Sequence, residues 1–334
     1  MKAAIYQGVH DVKIMDLPDP KPGSKDVVVK VVRSSICGTD IAEYHGSGQG
    51  AIQPGSEFGH EFAGKVVEVG SEVTGISEGM RVAVNPMTAT SAGMMTACML
   101  GGFSEYMKVE DAAVGYNLYP LPDGLTFEDG SLVEPFSVGM HGVNTAETQT
   151  TDRALILGAG PVGMGALAGM KALGVENVVV SDISEFRLQK AKELGADAVH
   201  NPKKTPLENF LLEWYGEKSN SWGLVDVVID AAGARAALES ALDVVRYGAR
   251  VSVVALHKGP ISFTPIIFIT KELRFRGSVG YPNEFPQVIE FMASGKADLK
   301  PTITHRFPLD EIETALNTAT KQDEALKILI EMPE

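Results

Sequence analysis

Two rhythms of apolar and polar positions divide the chain. Up to about residue 145 the apolar residues come in short β-branched runs: VVVKVVR at 27–33, GKVVEV at 64–69 and RVAV at 81–84. Each is bounded by Gly, Pro, Ser or Asp, the punctuation of strands. Few helical periods interrupt them, so this half predicts a compact β-rich barrel or sandwich. A segment without strand character, VEPFSVGMHGVNTAE, predicts a helix from about residue 131.

From Arg153 the rhythm changes. The runs ALILG, NVVVSD, LVDVVIDAAG and RVSVVAL alternate with helix-like stretches ending at 173 and spanning 185–194 and 234–245. Near-continuous Val/Ile/Leu strands separated by helices predict a parallel sheet covered on both faces. The alternation fades after RFRGSV at 274–279, and the tail offers two helices and short strands. The expected organisation is an α/β chain of two domains. Residues 1–145 and 275–334 form the β-rich one, and a doubly wound sheet domain is inserted at 146–274. A length of 334 residues agrees with two domains.

Composition narrows the function. Acidic residues outnumber basic ones by 43 to 29, a formal charge of −14. That balance repels phosphate backbones and anionic lipid, so neither nucleic acid nor a membrane surface is an expected partner. Positions 154–170 carry no charge, but Gly158, Gly160 and Pro161 in their midst read as strand, turn and helix start rather than a membrane span. Cys37 and Cys98 are the only cysteines, too few for a disulfide scaffold, and the first residues show no basic cluster followed by an apolar stretch. A reducing cytoplasm is the expected compartment.

The sheet domain opens with Gly158-Ala159-Gly160-Pro161-Val162-Gly163 between a strand and a small-residue helix, and Asp182 closes the next strand. Gly158 permits the tight turn, and Gly160 lets backbone approach a pyrophosphate. Gly163 allows close helix–sheet packing, and the helix N-terminus, opened by Pro161 and Val162, faces the phosphate charge. Asp182 can accept from both hydroxyls of an adenosine ribose and repels a 2′-phosphate, which favours NAD over NADP. Arg187 lies close enough in sequence to complicate that preference.

In the β-rich half, Cys37 sits in SICGTD and His60-Glu61 in GSEFGHEFAG. Singly, each has a plain structural explanation: a small buried cysteine, a satisfied histidine, a solvated acid. Together they offer thiolate, imidazole and carboxylate, the donor set of a catalytic zinc that keeps an open position. The spacing is long, and residue types alone leave both readings open.

These motifs, in this order, resemble the zinc-dependent medium-chain alcohol and polyol dehydrogenases. GHExxG at 59–64 with Gly70 and Val73, CGTD at 37–40, GFSEY at 102–106, the GAGPVG loop and KELRFRGS in the tail carry the resemblance over essentially the whole chain. It implies a GroES-like catalytic domain wrapped around a Rossmann domain, one catalytic zinc, NAD, a small alcohol or ketone as substrate, and a homodimer or homotetramer. Cys37, His60 and Glu61 would be zinc ligands, Glu61 being able to exchange with substrate or water. Glu134, in VEPFSVG, aligns with the remaining ligand position and resembles the sorbitol, threonine and butanediol dehydrogenase branch. Asp40 would fix the His60 tautomer, and Thr39 would take the hydroxyl proton. Two departures stand out. Where relatives hold a structural zinc with four cysteines, 85–101 has only Cys98, so no structural zinc is expected; Met94, Met95 and Met99 would cover apolar surface or line a subunit contact, core packing being the plainer reading. A relay histidine found five residues after the zinc cysteine in some relatives is Ala42 here.

Tyr44 and Phe103 are candidates for the substrate pocket or the core, and Arg274 with Arg276 is the one basic pair suited to a phosphorylated substrate. The alternatives to a zinc polyol dehydrogenase are a zinc-free quinone or enone reductase of the same superfamily and a non-catalytic nucleotide-binding protein.

Overall fold

The computed structural model describes residues 1–217 and 222–333; position 334, the end of the expected catalytic segment, lies outside them. Two compact units share the chain, Met1–Pro135 with Phe285–Ala293 and Ile303–Glu334, and Phe136–Glu284 with Ser294–Thr302.

The first unit is built on a seven-stranded sheet. Its strands run in the order Ile303–Pro308, Lys327–Glu331, Val27–Ser35, Glu61–Val69, Arg81–Val84, Leu118–Pro120, and Tyr106–Val109 also pairs with Val27–Ser35. A three-stranded sheet of Asp11–Asp16, Lys2–Gly8 and Ser56–Glu57 accompanies it. Val27, Val29, Val31, Phe58, Phe62 and Phe103 belong to one buried cluster, so Phe103 is core, as is Tyr44. Gly64 interrupts the apolar run of its strand because a Cβ there would lie 2.2 Å from the Lys30 carbonyl oxygen. Pairing between Val27–Ser35 and Glu61–Val69 shifts register twice, between Val28 and Val29 and again between Val31 and Arg33, before Ser35 comes opposite Glu61. Such bulges re-aim side chains where a regular ladder would not.

The second unit is a six-stranded parallel sheet. Strands Ala198–His200, Asn177–Ser181, Arg153–Leu157, Val225–Asp230, Val245–Val253 and Arg274–Gly277 lie in that order, which is 3-2-1-4-5-6 by position in the chain, the dinucleotide-binding arrangement. Helix Pro161–Leu173 has Pro at its start and ends on Gly174 in the left-handed region, φ 86°, the usual proline-in, glycine-out asymmetry.

Two boundaries differ from the sequence expectation. Strand Arg274–Gly277 pairs with Val245–Val253, so the sheet continues past residue 274 and the chain returns to the first unit at Phe285. Its arginines are exposed, as an edge strand tolerates; the run RFRGSV is the last of the alternation, and the expected boundary at 274 cuts through it. Helix Phe127–Thr145 begins four residues before 131. Thr126 and Asp129 close a capping box there, with Thr126 N–H donating to Asp129 Oδ2 at 2.8 Å and Asp129 N–H to Thr126 Oγ1 at 3.2 Å. Met94 and Met95 also depart from the core-packing expectation. They are 55% and 82% exposed, on the short 3-10 turn Gly93–Met95, none of whose residues is buried. Among the described residues no helix is long and apolar enough to cross a membrane.

Candidate metal centre and nucleotide loop

Cys37 ends an extended segment and caps helix Gly38–Tyr44. Its backbone N–H donates to Asp40 Oδ2 at 2.9 Å, while its sulfur accepts from Thr39 N–H at 3.5 Å and lies 3.8 Å from Thr39 Oγ1. The cap therefore fixes the sulfur, the Thr39 hydroxyl and the Asp40 carboxylate together. His60 is delivered by Gly59, whose φ of +90° and contact with the Phe103 ring exclude any side chain.

The Cys37 sulfur and one donor atom each of His60 and Glu61 lie within 4.8 Å of one another. His60 Nδ1 faces Asp40 Oδ1 at 3.9 Å. Both atoms are buried and lack a hydrogen-bond partner among the described residues. The expected tautomer-fixing contact from Asp40 is thus an ion-pair separation rather than a hydrogen bond, while the other Asp40 oxygen accepts from the Cys37 N–H. Charge governs this cluster. Burial pushes the Asp40 carboxyl up to about 6 against the pull of His60. Burial opposes a proton on His60, yet the neighbouring Cys37, with Asp40 and Glu134, outweighs it and raises the imidazole well above its ordinary range. A buried pocket that demands a cation in this way, with a soft sulfur, an imidazole and a carboxylate around it, fits zinc.

Glu61 is held from behind. One of its oxygens, Oε2, accepts from the Ser35 hydroxyl and from the Lys327 ammonium. Glu61 and Lys327 are each 1% exposed, and Lys327 Nζ also donates to the Ile36 carbonyl at 3.0 Å. Strand register makes the triad, since Leu329 pairs with Ser35 and Ser35 with Glu61. Ser35 reaches Ser131 as well, its hydroxyl lying 3.3 Å from that carbonyl. Pro135 explains the availability: it has no N–H to bond the carbonyl four residues back, and that carbonyl belongs to Ser131. Sequence reasoning missed both Ser35 and Lys327. The signal was a lone lysine heading the apolar strand KILIE.

Glu134 is buried, 7% exposed, but its oxygens fall outside the three-residue donor group; its charge still acts on His60. Cys98 feels the same charges, although burial is the main cause that pushes its thiol up to about 11. Arg274 and Arg276 share one partner, each 2.8 Å from Glu147, so this pair is already neutralised in part.

In the second unit Gly158 takes φ +91°, and a Cβ on Gly163 would fall 1.9 Å from the Gly158 carbonyl oxygen. Both glycines are therefore obligatory. Gly160 caps helix Pro161–Leu173, with Val162 in its first turn, and only Arg187 Nη1 approaches it, at 3.9 Å from an added Cβ. Asp182 does more than expected. Its Oδ2 accepts from Ala159 N–H at 2.7 Å and its Oδ1 from Ser184 N–H at 2.8 Å. A carboxylate has about four acceptor sites, so lone pairs remain for a ribose while the residue also braces the loop.

Comparison with known proteins follows the same division. Residues 161–294 match the zinc-binding dehydrogenase family and residues 23–123 the alcohol dehydrogenase GroES-like domain. Sorbitol dehydrogenase of Bacillus subtilis is 33% identical over 99% of this chain and 97% of its own. The chain belongs to the zinc-dependent medium-chain dehydrogenases. The (R,R)-butanediol dehydrogenase of Bacillus subtilis is 32% identical, covering 99% of both chains. The crystal structure of 2R,3R-butanediol dehydrogenase from Bacillus subtilis superposes with a TM-score of 0.88 at 30% identity, over 100% of this chain and 99% of that one. An Escherichia coli alcohol dehydrogenase complexed with NADH gives 0.87 at 28% identity, covering 99% of each.

For this dehydrogenase the buried triad makes a prediction. Lys327→Met strands the Glu61 carboxylate, and the metal-free protein should lose about 3 kcal/mol of stability, the scale of a broken buried pair. Added zinc should recover part of that loss, so the thermal shift on zinc binding should exceed the wild-type shift; equal shifts would count against the arrangement. Thiol labelling tests the two cysteines. At pH 8 Cys98 should react slowly with or without chelator, since a thiol at about 11 is only about one part in a thousand thiolate. Chelation should release one fast equivalent, Cys37; two fast equivalents would contradict this assignment.

Proposed function

We propose that this dehydrogenase oxidises a secondary alcohol, of the polyol or vicinal-diol class, with NAD, at a single zinc held by Cys37, His60 and Glu61. The observation that carries the reading is the convergence of sulfur, imidazole and carboxylate donors in a buried pocket whose charge balance calls for a cation. Glu134 stands close enough to act on His60 electrostatically and is the fourth candidate donor. Bound zinc supplies Lewis acidity toward an alcohol oxygen, and the nicotinamide is the hydride acceptor.

The chain's own residues do the rest. The Cys37 cap positions its sulfur, and Lys327 with Ser35 orients Glu61. Thr39, whose hydroxyl lies 3.8 Å from the sulfur, takes the substrate hydroxyl proton. Gly158, Gly160, Pro161, Val162 and Gly163 form the pyrophosphate cradle, and Asp182 with Arg187 meets the adenosine ribose, the acid favouring NAD over its 2′-phosphorylated relative. A zinc-free reductase has no use for the buried donors. The diol and polyol class is supported by the sorbitol and butanediol dehydrogenases among the relatives and by two carboxylates, Glu61 and Glu134, that could yield a coordination position to a second substrate oxygen.

No structural zinc is part of this reading, since 85–101 offers only the Cys98 thiol. A homodimer or homotetramer fits the open edge that Arg274–Gly277 gives the parallel sheet, and a reducing cytoplasm suits a free thiol as ligand.

A fluorescence screen for NADH formation over C3–C6 diols, polyols, hydroxy-amino acids and polyol phosphates, with and without a zinc chelator, tests the proposal. Chelator-sensitive NADH production from diols or polyols is expected. Cys37→Ala should lose the metal and at least about a thousandfold in turnover while binding NADH like the wild type. Full activity of that variant in chelator would refute the mechanism.

A further inference from the structure

Away from the donor cluster, the second unit holds a buried acid that has a histidine as its partner. Asp230 closes strand Val225–Asp230 and is 0% exposed. Its Oδ1 accepts from the N–H groups of Ala232 at 3.1 Å and Gly233 at 3.2 Å, and its Oδ2 from His257 Nε2 at 2.6 Å. The imidazole is itself mostly covered, 12% exposed.

The turn gripped by Asp230 is the surface against which the phosphate loop rests. Ala231 N–H donates to the Leu157 carbonyl at 2.9 Å, and a Cβ on Gly158 would come within 2.9 Å of the Ala232 backbone. The turn is pinned from the other side too. Val254 and Ala255 both donate to the Asp230 carbonyl at 2.9 Å, and Gly233, φ +63°, leaves room for a Cβ only 2.9 Å from the Leu256 carbonyl oxygen. Backbone bonds of Asp230 and Ala231 thus join the carboxyl ends of three neighbouring strands, Arg153–Leu157, Val225–Asp230 and Val245–Val253, and the Asp230 carboxylate holds the turn that follows. Ligands of open parallel sheets bind outside those ends.

We propose that His257 is a positioning residue for the dinucleotide: through Asp230 it holds the 231–233 turn, and with it the Gly158 loop, in the shape that receives a pyrophosphate. Without the imidazole, the Asp230 carboxylate keeps two backbone donors but loses, in a buried setting, its only side-chain donor among the described residues. The turn then relaxes to let water reach the acid, and Gly158 loses its backing. This inference rests on the NAD reading above and adds to it a residue that contributes through loop shape.

The test uses the zinc-loaded enzyme, titrated with NADH by fluorescence, as wild type, His257→Ala and His257→Gln. Zinc content, alcohol KM and the unfolding midpoint without NADH are measured alongside. The alanine variant should bind NADH about tenfold more weakly, the scale of one hydrogen bond to a charged group, with zinc content and alcohol KM within about twofold of wild type. The glutamine amide can donate from near the Nε2 position and should recover most of the affinity. A merely structural histidine would lower the unfolding midpoint and leave the NADH Kd unmoved, which overturns the proposal, as does a glutamine variant as weak as alanine. If alanine does not fold, His257→Asn, too short to reach Asp230, takes its place. Failure of the wild type itself to bind NADH would sink the NAD reading, an outcome separate from an unchanged Kd in the variants.

Discussion

The buried pair of Glu61 and Lys327 is the constraint on which the first unit turns. Two full charges at 1% exposure each are tolerated only when the geometry is good and the remaining donors are satisfied. The fold meets both conditions. Lys327 adds a bond to the Ile36 carbonyl, and Ser35 adds one to Glu61. Strand pairing must be right to within one residue, since a slip would turn Ser35 to the other face. The first two residues after Ser35 then lead to Cys37, and the residue before Glu61 is His60. Fixing that pair therefore fixes the donor cluster, and Glu61 stands as a carboxylate already aimed before any metal arrives.

Electrostatics explains why such an arrangement suits an ion. The cluster gathers Cys37, Asp40, Glu61 and Glu134 around one imidazole, and Lys327 answers only Glu61 directly. The neighbouring negative groups raise the His60 imidazole against the opposing effect of burial, and burial pushes the Asp40 carboxyl up to about 6. A divalent ion at this site would be held by the Cys37 sulfur, the His60 imidazole and the Glu61 carboxylate, whose donor atoms lie within 4.8 Å of one another. Metal affinity is coupled to protons released from the same groups. The second unit is held by the analogous use of acids. Asp182 and Asp230 each fasten backbone N–H groups near the glycine loop.

Legibility in the sequence followed physical locality. The parallel sheet was visible because strands buried on both faces are apolar throughout, and the glycine loop because each glycine has its own steric reason. Cys37, His60 and Glu61 could be chosen by donor chemistry and by motif. Their convergence could not be seen, because it depends on two register shifts between Val28 and Arg33 that leave no mark in the residue pattern. Lys327 was hidden by distance along the chain, Ser35 by its ordinary identity. The edge strand Arg274–Gly277 lies in the last run of the alternation, but a boundary drawn where the alternation fades does not show which sheet that run joins. Asp182 was read for its ligand alone, whereas its two oxygens also serve the backbone. Core packing, the plainer of two expectations for Met94 and Met95, fails because both lie exposed on a short turn, and composition says nothing about what covers such a turn.

X-ray absorption at the zinc edge of the purified enzyme bears most directly on the claim that one thiolate, one imidazole and carboxylate oxygen share a single ion. The account predicts one zinc per chain with a single sulfur near 2.3 Å, remaining donors being nitrogen or oxygen at about 2.0–2.2 Å. A shell with two or more sulfurs, or enzyme that turns over without zinc, would contradict it.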